Sequence, residues 1–182
     1  MKKNLMTMAA VLCCTALFTS CEKNNPEQPE EAPDTTPAAA VMDYRFSVTD
    51  DLFSAFILTV EYYDAAGTIK TETMTSKDWT KTVKTNKLPA TLGARLKIQL
   101  KNGFDSSKEG VFSAKHLYGC EYYVVNKSNE KLGSAVTDVS SGGVDIKSEK
   151  APDYAERYLD KPIMRFLYNF AADGIATKGS WE

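Results

Sequence analysis

Leu92-Gly93-Ala94-Arg95-Leu96-Lys97-Ile98-Gln99-Leu100 decides the fold class. Leu92, Ala94, Leu96, Ile98 and Leu100 fall on one side of an extended chain, and Gly93, Arg95, Lys97 and Gln99 fall on the other. Successive strand side chains point to opposite faces, so this is a strand that covers a core on one side and meets water on the other.

The same period continues on both sides. Tyr44, Phe46 and Val48 alternate with Arg45, Ser47 and Thr49, and Phe56, Leu58, Val60 and Tyr62 repeat the pattern. Asp64-Ala65-Ala66-Gly67 reads as a hairpin loop before the strand formers of 68–75. Trp79 to Thr85 reads as a strand that ends before the Leu88-Pro89 turn. Gly110 to Val125 is long and apolar on both faces, which predicts a central strand bent near Gly119. Lys127 to Glu130 is a turn, and Leu132 to Thr137 pairs back. The small cluster Ser140-Ser141-Gly142-Gly143 reads as a loop. Pro152 opens one short helix that Pro162 ends, Ile163 to Phe170 is a strand, and Ala172-Asp173-Gly174 turns it. The expected architecture over 42–182 is therefore all-β: an antiparallel β-sandwich of about eight strands with one short helix.

Ahead of this region the chain changes character twice. Lys2 and Lys3 precede a largely apolar run from Leu5 to Phe18, and Phe18-Thr19-Ser20 leads into Cys21. Positive charge, apolar core and small residues at the cut form a secretion signal over 1–20, too short for a permanent span. Residues 21–41 then form an acidic tether, with Pro26, Pro29, Pro33 and Pro37 among five acids and one lysine. Proline-rich chain favours extended conformations, with a reach of about 60 Å.

Charge and cysteine usage exclude several function classes. From Val41 onward the chain carries 19 acids and 19 bases, so no basic footprint for nucleic acid exists. Cys13 and Cys14 belong to the signal, and Cys21 sits at its cut, which leaves Cys120 without an intramolecular partner. Cys120 reads as a small buried hydrophobe. His116 is the one histidine. It stands four residues from Cys120 on one strand face, about 13 Å away, too far for a nucleophile–base pair. Two such ligands are too few for a closed zinc site. Asp50-Asp51 and Asp105 lack calcium-loop spacing and read as turn formers. Asn126-Lys127-Ser128 matches an N-glycosylation acceptor motif. No cofactor motif appears. The remaining candidates for ligand binding are Tyr63, Trp79, Tyr123, Tyr158 and Trp181, whose rings fall outside the clearest core-facing sets and would stack on sugars if they shared an exposed face.

The approach to Cys21 resembles a bacterial lipobox, with Phe18 where leucine is usual. The chain from there through the EYYDAAG hairpin, the KLPATLG turn, the YGCEYY strand and the FAADG turn resembles the small Ig-like lipoproteins of Bacteroides-type gut bacteria, mostly of unknown function. That resemblance implies acylation of Cys21, an outer-membrane location and an Ig-like sandwich. Surface export in such bacteria goes with an acidic run after the cysteine, whereas Glu22-Lys23-Asn24-Asn25 holds one acid, and either membrane face stays open. The expectation is a non-enzymatic envelope domain with a protein or glycan partner. A carbohydrate-binding module built on the five rings is the alternative.

Overall fold

The computed structural model describes residues 32–181. The expected signal, Cys21 and most of the expected tether lie outside the described residues. Two antiparallel sheets face each other. The first contains β1 (Ala39–Val48), β4 (Asp78–Lys84), β7 (His116–Val125) and β8 (Lys131–Gly142), in the order β4-β1-β7-β8. The second contains β2 (Phe56–Tyr63), β3 (Ile69–Thr73), β5 (Ala90–Leu100), β10 (Met164–Phe170) and β11 (Ala176–Lys178), in the order β11-β10-β5-β2-β3. A small ribbon joins β6 (Val111–Ser113) to β9 (Asp145–Lys147). The molecule is thus an all-β sandwich of eleven strands. Of the three beyond the expected eight, β6 comes from the splitting of the strand expected over 110–125, and β9 and β11, each of three residues, are too short to show a period.

The decisive strand sits where its alternation requires. β5 lies between β2 and β10, with Leu92, Ala94, Leu96 and Ile98 buried between the sheets. Met42, Tyr44 and Phe46 of β1 meet them from the opposite sheet, together with Trp79 of β4. Phe166 of β10 touches rings from both β1 and β7, with centroids 5.9 Å from Phe46 and 5.0 Å from Tyr118.

Where β2 and β5 part, one side chain takes over from the ladder. Their register ends at Tyr62↔Ala94, and the next pair in line would be Tyr63 with Gly93. Instead the Gly93 amide donates to the Tyr44 hydroxyl at 3.2 Å, and that hydroxyl donates to the Tyr63 carbonyl at 3.4 Å. Tyr44 reaches this point from β1, across the core, and burial raises its hydroxyl pKa far above the ordinary range.

The two long seams of the sandwich are each closed by a carboxylate. Glu72 of β3 accepts from Tyr62 (2.7 Å), from the Trp79 indole (3.0 Å) and from Lys81 of β4 (2.5 Å). Asp138 of β8 accepts from Tyr168 (2.6 Å) and from Lys178 of β11 (3.0 Å). Both carboxyls are held below their usual range, Glu72 chiefly by Lys81 and Asp138 chiefly by Tyr168.

Several boundaries differ from the sequence pattern. β1 begins at Ala39, three residues inside the segment read as tether, because Ala39 and Ala40 are buried against neighbouring strands. The long segment 110–125 is interrupted at Ala114-Lys115, and β7 then runs without a bend at Gly119, in unbroken register with β1. Its irregularity falls instead at Tyr122/Val124, against β8. Ser140, Ser141 and Gly142 belong to β8 and pair with Tyr118, Leu117 and His116, so the loop reading is corrected there. A short helix, α1 (Asp50–Ala55), turns the chain between the sheets, and α2 (Ala151–Arg157) follows near the expected proline. Asn126 is buried and holds the turn into β8 by accepting from the Glu130 amide and donating to the Asp34 carbonyl.

Leu96→Ala should destabilise the domain by about 2–5 kcal/mol through lost burial and the cavity left behind. Lys97→Ala, on the outer face with its amine 2.7 Å from Glu61, should cost no more than about 1 kcal/mol. Denaturant melts of both variants check the orientation of β5, since a one-residue slip would reverse the ranking. Tyr44→Phe keeps the ring and removes only the hydroxyl. It should cost about 1–3 kcal/mol, because it strands the Gly93 amide and the Tyr63 carbonyl, and the same melts measure it.

Candidate functional site

The chemically active side chains are committed to packing. Cys120 is 2% exposed, and burial first, then the Asp138 charge, pushes its thiol up to about 12, so almost no thiolate forms near neutral pH. His116 is also buried, on the same face of β7 and four residues away, and β7 has no bulge that would bring the two together. Burial lowers the His116 pKa, opposed by the Ala114 backbone, and its Nδ1 has no hydrogen-bond partner among the described residues. Gly142 makes room for the ring: a Cβ there would stand 2.8 Å from His116 Nε2.

The acidic turn residues act locally. Asp50 pairs with Lys77 at 3.1 Å, Asp51 accepts from the Ser113 amide at 2.8 Å, and Asp105 accepts from the Ser107 amide at 3.0 Å. No cluster of three or more His, Cys, Asp or Glu side chains among the described residues is arranged to hold a metal ion.

The five candidate rings do not form one platform. Trp79 points into the core, stacked on Tyr44 at an interplanar angle of 10°. Trp181 is buried at 7% exposure against the outer face of the second sheet, where its indole donates to the Phe166 carbonyl at 2.9 Å. Arg95 lies 4.6 Å over the Trp181 ring, and Tyr63 packs beside it with centroids 5.0 Å apart. Tyr63 and Trp181 are thus brought together, but the indole face is covered. Tyr123 sits on the other sheet under Lys131, and Tyr158 packs on Tyr154 beside α2. A sugar platform made from all five is corrected by this geometry: two of the rings are buried and the other three lie on three separate surfaces.

Pattern reading missed the concave surface on the outer face of the first sheet. A shallow trough of about 470 Å³ crosses β4, β1, β7 and β8. Gly119 forms its floor, opposite Arg45 in register, and Asp43 stands directly opposite Glu121. Thr82 of β4 donates to Asp43 from one side, and Thr137 of β8 faces Glu121 on the other. Like charges directly opposite each other on a sheet are unfavourable. The trough therefore offers carboxylate acceptors, a guanidinium donor and hydroxyls above a floor without side chains. A signal for it existed in the alternation of charged and hydroxyl residues with Gly119, but the pairing of these strands could not be read from sequence. Compared with protein-family models, curated proteins and solved structures, the chain matches none.

Burial sets a pH dependence through His116. Its pKa is lowered from 6.5 in the fold, so the unfolded chain binds a proton first as pH falls. Stability is fully present above about pH 6.5 and declines below it, ahead of carboxylate titration. Thermal melts between about pH 7 and 5 should show a decline in the native protein that flattens in His116→Leu.

Proposed function

We propose that this chain is a lipid-anchored, non-enzymatic binding domain of the cell envelope, carried on the outer membrane by acylation of Cys21. The observation that carries the binding half is the trough on the first sheet, where Glu121, Arg45 and threonine hydroxyls stand exposed beside a half-buried Asp43 while His116 and Cys120 are buried. Such a surface suits a hydroxyl-rich ligand that lies flat against Gly119, and a glycan of the envelope has that chemistry. The anchoring half rests on the charged, apolar and small-residue order that ends at Cys21. No helix among the described residues is long and apolar enough to cross a membrane. A tether with four prolines would hold the sandwich off the lipid surface.

Cys21→Ala should move the protein out of the detergent phase, because two or more acyl chains give stable attachment and their loss leaves none. Unchanged partitioning would sink the anchor. A lipid-free chain starting at Glu22, which holds the whole described fold, should bind on a glycan array. Arg45→Ala and Glu121→Gln should each weaken that binding about tenfold, as loss of one charge-assisted hydrogen bond does. A blank array, or binding indifferent to both substitutions, would overturn the trough as the binding surface.

A further inference from the structure

A sheet edge presents unsatisfied amides and carbonyls, and proteins usually blunt such edges with charge, proline, shortness or bulges. Three of the four edges in this sandwich are treated that way. β11 has three residues. β3 has five, including Lys70 and Glu72. β4 carries Asp78, Lys81 and Lys84. β8 differs. It is twelve residues long, and from Leu132 to Gly142 its one charged side chain is Asp138, which is turned inward to Tyr168 and Lys178. It contains no proline.

The bulge against β7 and the left-handed Gly133 confine distortion to the first part of β8. Val136 to Gly142 then keep regular register with Tyr122 to His116. Among the described residues no other element bonds to the outer side of this run. Val136 and Val139 remain 48% and 58% exposed.

We infer that β8 is a self-association edge, through which two copies of this chain pair antiparallel about a two-fold axis and join their four-stranded sheets into one. Charge selects a second copy as the occupant. Two-fold pairing sets every residue against one from the same strand, so an edge with exposed like charges repels itself. β4 and β3 would do so, whereas the regular run of β8 exposes only Val, Thr, Ser and Gly beside its inward Asp138. Thr137, Val139 and Ser141 are small or β-branched and can form both halves of the cross-strand pairs. The pairing needs neither the trough ligand nor the anchor, although Thr137 and Val139 also line the β8 side of the trough.

Sedimentation velocity on the lipid-free chain from about 1 µM to 1 mM tests this. A pairing made by one strand belongs among weak interfaces, so a dimer should appear with a dissociation constant on the order of 10–100 µM. Val136→Lys and Val139→Lys should each raise that constant at least tenfold, while Thr71→Lys on the β3 edge leaves it unchanged. A melting temperature near that of the native protein confirms that the lysine variants are folded. Amide exchange in Val136–Gly142 should slow as concentration rises. A monomer at 1 mM, a dimer indifferent to both β8 lysines, or one broken by Thr71→Lys would overturn the inference.

Discussion

The sandwich depends on how the backbone is satisfied at Gly93. There β2 and β5 diverge, and two polar groups that would have bonded to each other lose their ladder partner, the Gly93 amide in the interior and the Tyr63 carbonyl half-buried. The Tyr44 hydroxyl enters from the opposite sheet and serves both. A buried amide without a partner costs more than an ordinary hydrogen bond gains, so this contact fixes the spacing of the sheets at that point. Only glycine fits at 93, because a Cβ would lie 2.5 Å from the Phe166 carbonyl. That same carbonyl receives the Trp181 indole from outside. One residue without a side chain thus lets a tyrosine close the inner surface while a tryptophan closes the outer one.

The seams follow the same logic. Asp138 gathers an aromatic hydroxyl and a lysine from the facing sheet, and Glu72 gathers a lysine and an indole from the facing sheet together with the Tyr62 hydroxyl from its own. Tyr62, Trp79 and Tyr168 are therefore amphipathic fasteners, with rings in the core and polar tips at the rim. This use of the aromatics leaves short polar side chains to form the trough on the first sheet.

How far the sequence could be read follows from which forces are local. β5, β2 and the β2–β3 hairpin are legible, since alternation and the Asp64–Gly67 loop lie within a few residues of one another. α1 was not, because six residues carry too few turns to show a helical period. The reach of β8 through Ser140–Gly142 was hidden because an exposed edge strand needs no apolar residues. Trp79 and Trp181 seemed available for ligands because their cover comes from residues distant in sequence: Tyr44 and Phe46 for one, Arg95 and Phe166 for the other. The trough has the same cause, being assembled from four strands whose order no single segment encodes.

The position of β1 has a mechanical meaning. It is bonded along its length to β7 on one side and over Val41–Ser47 to β4 on the other. Tension arriving from the chain ahead of Ala39 acts along this central strand. Such a load shears the flanking hydrogen bonds together, whereas a pull across an edge strand would peel them singly. With Tyr44 acting as a crossbar into the second sheet, a pull on β1 from the side of Ala39 would load both sheets together.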